Sequence, residues 1–165
     1  AAKNKRKRVD SVLNNYLSSG NELTKRTELT NDFSLLTCSL IYWCEGAKDI
    51  YSGVRFINSD PQLIKTFLTL MRTAFDVDES KFRACVHLHG YHDAETQLKF
   101  WSTVTGIPMG QFIKPFYKVN TGKRIRNGYS GCVSLRYHNV DMARRLLMTA
   151  KAFLNRHGGV VKPAS

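Results

Sequence analysis

The run KFRACVHLH, residues 81–89, constrains the fold more than any other part of the chain. Side chains leave a strand on alternate faces, so Phe82, Ala84, Val86 and Leu88 point one way and Arg83, Cys85, His87 and His89 the other. One face needs apolar cover and the other carries polar and charged groups. Such a strand belongs to a sheet with one buried face and one open face.

The neighbouring segments supply the rest of that sheet and its cover. GVRFINS (53–59) reads as a short β-branched and aromatic strand. QFIKPFYKV (111–119) and GYSGCVSLRYHN (128–139) read as a hairpin around the basic turn TGKRIRNG. Pro115 cannot donate to a ladder, so its strand is an edge strand or carries a bulge. A helix is predicted from Thr30 or Asn31 to Glu45, with Phe33, Leu36, Leu40 and Cys44 on one stripe. Leu35, Ile41, Tyr42 and Trp43 widen that stripe until little of the helix looks solvated, and Gly46 stops it. Asp60 caps a second helix with Pro61 in its first turn, Asp93 caps a third through Val104, and a last one covers residues 139–155. The fold class is α+β: an antiparallel or mixed sheet of about four strands with helices on one face. Residues 1–29 form a basic arm with a short helix, Val9 to Leu17, that ends before Gly20 and leads into a linker.

The charge is lopsided. The net charge is +12, and residues 99–165 hold twelve Lys or Arg against one acid, Asp141. Residues 1–98 nearly balance, so the excess is a directed field rather than scattered solubilising charge. A polyanion suits such a field, and nucleic acid is the commonest one. The open face would display Arg83, His87, His89, Ser134, Arg136 and His138, joined by Lys114 and Lys118; Lys48 and Arg55 are further candidates. Lys123, Arg124 and Arg126 in the basic turn would track a phosphate backbone. Phe112, Phe116 and Tyr117 interleave with Lys114 and Lys118, a pattern that also suits stacking on single strands, although some of these rings must face the core.

Cys38, Cys44, Cys85 and Cys132 form no CxxC and sit in apolar or alternating runs. They read as reduced, buried, inert thiols of an intracellular protein. No apolar run reaches the roughly eighteen residues of a membrane span. Cys85, His87, His89 and nearby His92 suggest a metal site, but alternate strand residues lie about 7 Å apart, too far for an ordinary tetrahedral site. KVNTGKRIRN lacks the spacing of a nucleotide-binding P-loop.

SLIYWCEGAKD (39–49) carries the strongest chemical oddity: Glu45 sits at a helix C-terminus, where the helix dipole disfavours a carboxylate by roughly 0.3–1 kcal/mol. Two readings stand. Glu45 pairs with Lys48, or it joins free carbonyls such as that of Cys44 in an oxygen cluster for a hard divalent cation.

TCSLIYWCEGAK resembles the motif helix of LAGLIDADG homing endonucleases, with Cys38 to Gly46 overlaying the motif. VRFINSDPQLIKTFL, FWSTVTGIP and QFIKPFYK resemble a prokaryotic branch of that superfamily, and the likeness spans roughly residues 30–155. Leu40 stands where the family has a small residue, Glu45 replaces the usual Asp, and Trp43 stands where a second acid is common. The resemblance implies a LAGLIDADG-like domain over 30–157 followed by a tail over 158–165. It also implies a homodimer on double-stranded DNA, two Glu45 carboxylates holding Mg²⁺ or Mn²⁺, and Lys114, Lys118 or Lys48 near the scissile phosphate. A DNA-binding regulator without catalysis, or an RNA-splicing maturase, would use the same surface.

Overall fold

Four side-chain caps set the helices. Thr30, Asp60, Asp93 and Asn139 accept hydrogen bonds from the backbone N–H groups of Phe33, Gln62 and Leu63, Thr96, and Met142 respectively. The computed structural model describes residues 2–118 and 128–159. Within them run α1 (Ala2–Arg26), α2 (Asn31–Glu45), β1 (Val54–Asn58), α3 (Pro61–Ala74), β2 (Phe82–Leu88), α4 (Ala94–Thr105), β3 (Phe116–Tyr117), β4 (Cys132–Tyr137) and α5 (Val140–Gly158). The class is α+β with a mixed sheet in the order β1-β4-β2-β3. β4 pairs antiparallel with both β1 and β2, and β3 lies parallel to β2 at the edge.

The core lies under one face of that sheet. Val54, Tyr137 and Phe82 face one another across three strands, and Phe56, Leu135 and Ala84 form the next row. All six are at most 3% exposed. The Phe56 ring stacks on Phe67 of α3, with centroids 4.1 Å apart and planes 5° from parallel. Helix α2 packs against both α3 and α5, and α4 covers β2 with the fully buried Trp101, whose indole N–H donates to the Ser130 carbonyl at 2.8 Å.

Three expectations need correcting. The first concerns α2, which buries Ser34, Cys38, Ser39 and Tyr42. The stripe expected to be core points outward: Phe33 is 39% exposed, Cys44 is exposed, and Leu36 and Leu40 are half-buried. A helix apolar on nearly every side gives periodicity no means of choosing its inner face. Second, α1 does not stop before Gly20 but continues to Arg26, with Val9, Val12, Leu13, Tyr16 and Leu17 all exposed. Its N–H and C=O groups bond within the helix whichever residue stands at position 20, and a glycine there costs only about 1 kcal/mol.

The third correction is the hairpin. β3 pairs with β2, not with β4. Residues 112–118 track β2 from the Ala84–Phe112 bridge to the Leu88–Tyr117 pair, and the offset between partners changes by one residue around Lys114 and Pro115. The extra residue is a bulge at a proline on an edge strand, where a missing donor costs no ladder bond.

Two glycines are fixed by close approach. A Cβ on Gly46 would run into the Tyr42 ring; without one, the chain leaving α2 lies beside β1, where Gly46 bridges Phe56 and Ala47 N–H donates to the Arg55 carbonyl at 3.0 Å. Gly131, at φ +77°, leads into β4 with its missing Cβ directed at the His87 carbonyl.

The assignment of faces gives a stability test. Phe56→Ala is expected to lower unfolding free energy by about 3–5 kcal/mol, because it empties a packed stack. Its neighbour Ile57, 47% exposed on the other face, should lose no more than about 0.5 kcal/mol on the same change. Urea unfolding of both variants measures this, and equal losses would contradict the assignment.

Candidate nucleic-acid interface

The register that hides the apolar side chains lines up three arginines on the opposite face. Arg55 of β1 pairs with Arg136 of β4, and Arg136 pairs with Arg83 of β2. Directly opposed cross-strand residues have Cβ atoms about 4.5–5.5 Å apart, so three guanidinium stems stand side by side. Like charges in that position are destabilising, by the same physics that makes opposite pairs favourable.

Local partners relieve the two outer members. Arg55 forms an ion pair with Asp49 at 3.1 Å. Asp49 is held below the usual carboxylate range by the Ser52 hydroxyl and the Tyr51 N–H, with Arg55 adding to the effect. Arg83 donates to the carbonyls of Ser80 at 2.8 Å and Phe82 at 2.6 Å. The middle arginine, Arg136, is exposed, and among the described residues no ion pair engages it.

Beyond the arginines the open face continues in two further rows. Ile57, Ser134 and Cys85 form the first, with Ser134 and Cys85 4% and 7% exposed as a low floor. Cys132, His87 and Phe116 form the second. Rows alternate by two residues, so the arginine row and the His87 row lie about 13 Å apart. The Phe116 ring lies 5.3 Å from the His87 ring, and Lys118 reaches Cys132 Sγ at 3.6 Å. Burial, then Lys118 and Arg136, push the His87 pKa below its ordinary value, so the imidazole is neutral at pH 7. Because the unfolded chain binds that proton more readily, His87 costs stability only as the pH falls through about 6.5.

The remaining expected residues are dispersed. His89 lies just past β2 and stacks on Tyr91; its backbone N–H donates to His92 Nδ1 at 2.8 Å while His92 Nε2–H donates to the Tyr129 carbonyl, also at 2.8 Å. His138 is exposed just past β4. Cys85, His87 and His92 thus sit in different surroundings, and among the described residues no three His, Cys, Asp or Glu side chains converge as a metal site. Lys123, Arg124 and Arg126 lie outside the described residues. All four cysteines are free, but only Cys38 and Cys85 are buried; Cys44 is exposed and Cys132 half-buried, against the expectation of four buried thiols. Burial pushes the Cys38 thiol up to about 12.

Glu45 is exposed at the end of α2, and Asn58 Nδ2 donates to its Oε2 at 3.3 Å. Lys48 does not pair with it: the Lys48 ammonium lies over the Trp43 ring, 5.2 Å from the centroid. Asn58 shares the helix-side face of β1 with Val54 and Phe56, so Glu45 meets the sheet away from the arginines. Lys114 and Lys118 lie on the far edge, beyond β2. Within one chain the structure does not bring them to Glu45. Ile57 and Cys132 also belong to the open face, and strict alternation in VRFIN and CVSLRY is the signal that carries both.

Removing the central charge separates binding from stability. Arg136→Gln is expected to stabilise the fold by about 0.2–1 kcal/mol at low ionic strength, since it relieves two like-charge contacts. A raised urea midpoint that converges with the parent in high salt would show this; a lowered one would contradict it. A scan of the chain against protein-family models finds no match, and neither do searches of curated proteins and of solved structures.

Proposed function

We propose that the protein binds double-stranded DNA through the open face of its sheet, in the manner of the LAGLIDADG homing endonucleases that its sequence resembles. The Arg55–Arg136–Arg83 row carries this reading. A fold gains nothing from opposing like charges, whereas a phosphate backbone turns the same arrangement into counterion-releasing contacts. Arginine's planar fork suits phosphate oxygens and guanine edges alike.

A homodimer and metal-dependent cutting extend the proposal. The outward stripe of α2, with Phe33 and Cys44 exposed and Leu36 and Leu40 half-buried, suits a second copy of the same helix. One Glu45 per chain offers a single carboxylate, and Mg²⁺ or Mn²⁺ wants several oxygens. The donor set fits only when a second copy's Glu45 and the DNA phosphates complete it. Among the described residues no ion pair engages Glu45, which leaves its charge for such a cation. The cation, once bound, would supply Lewis acidity at the scissile phosphate. Glu45 would hold it, and Asn58 would orient Glu45.

A second reading, a non-catalytic DNA-binding module, is favoured by the separation of Glu45 from the arginine face. Incubating the protein with a plasmid library and Mg²⁺ or Mn²⁺ distinguishes the two. The nuclease reading expects nicking by the parent and none by Glu45→Gln, with DNA affinity unchanged. Binding without nicking in both proteins supports the non-catalytic module; nicking that survives Glu45→Gln contradicts the role of Glu45.

A further inference from the structure

The duplex-binding reading leaves the far row of the open face unexplained. Phe116 is 56% exposed, on a strand of two residues, directly opposite His87. Its ring covers no core. Alternation puts Lys118 on the same face two residues on, and the Arg136 row lies about 13 Å away across the Ser134–Cys85 floor. The face therefore carries the two rings between Lys118 on one side and the arginine row on the other.

We propose that Phe116 and His87 form a stacking platform for one unpaired DNA base, while Lys118 and the arginine row hold the phosphates on either side of it. The proposal rests on the DNA-binding reading above and narrows it to the kind of DNA bound. In a perfect duplex the base faces are hidden in the stack, leaving edges and phosphates for a protein to touch. An exposed ring on an open sheet gains contact only from a base that has left the stack. Charge complementarity is built in, because Lys118, Arg136 and Arg83 all stand on the same face. The neutral His87 ring braces Phe116 without adding to the repulsion among those cations. Ile57, 47% exposed at the β1 end of the Ser134–Cys85 row, adds an apolar side chain to the same face.

The test compares a perfect DNA duplex, the same duplex with one extra unpaired 2-aminopurine, its single strand, and an RNA version of the bulged duplex. Stacking of one base on an aromatic ring is typically worth 1–3 kcal/mol, roughly a 5- to 150-fold gain in affinity. The bulged DNA should bind more tightly than the perfect duplex by a factor in that range, and the 2-aminopurine fluorescence should fall on binding. Phe116→Ala should erase both effects and leave affinity for the perfect duplex unchanged, while Phe116→Trp should keep them. The exposure of Phe116 means that the Ala variant should match the parent in unfolding midpoint, which checks that the loss is local. Equal affinity for bulged and perfect duplex, tighter binding of the RNA, or an equal loss on every probe in Phe116→Ala overturns the platform. Failure of the parent to bind any of the probes would instead sink the DNA-binding reading itself.

Discussion

The pairing register of three strands is the constraint on which everything else depends. Matching Val54 with Tyr137 and Tyr137 with Phe82 sends Val54, Phe56, Phe82, Ala84, Leu135 and Tyr137 under the helices, where the Phe56–Phe67 stack closes the core. The same match sets Arg55, Arg136 and Arg83 in a line on the other side. A slip of one strand by one residue would turn its arginine into the core, at a cost of several kcal/mol for the unpaired ion. Hydrophobic burial therefore holds the arginines together against their repulsion. The helix face supplies the stability and the open face uses part of it.

That division explains the layout of charge. The two outer arginines find internal partners, Asp49 for Arg55 and backbone carbonyls for Arg83. The central one is left to solvent or to a ligand. His87, farther along the same face, is kept neutral by burial and by its cationic neighbours, so the face presents fixed positive charge beside a flat uncharged surface. Phosphate and base are the two chemistries such a surface complements.

Much of this was legible in the residues. KFRACVHLH gave its own two faces, and Asp60 and Asp93 marked helix starts through short side chains that reach nearby N–H groups. What escaped was whatever depends on a second element. Nothing local says that β3 prefers β2 to β4, because a two-residue strand after a proline carries too few donors to choose its neighbour. Nothing local says which side of an all-apolar helix turns inward, so Phe33 and Cys44 of α2 were read as core and lie outside. Arg55, Arg83 and Arg136 were each visible as candidates, but their alignment is a property of register. The position of Glu45 against Asn58, away from the arginines and from Lys114 and Lys118, was likewise beyond a one-dimensional reading.

The central proposal is that the in-register arginine row binds a polyanion. The salt dependence of DNA affinity tests it most directly. Log affinity should fall linearly with log salt, and neutralising Arg83 and Arg136 together should make that slope shallower by about 2, one phosphate contact each. An unchanged slope in the double variant, or affinity in the parent that salt does not touch, would contradict the account.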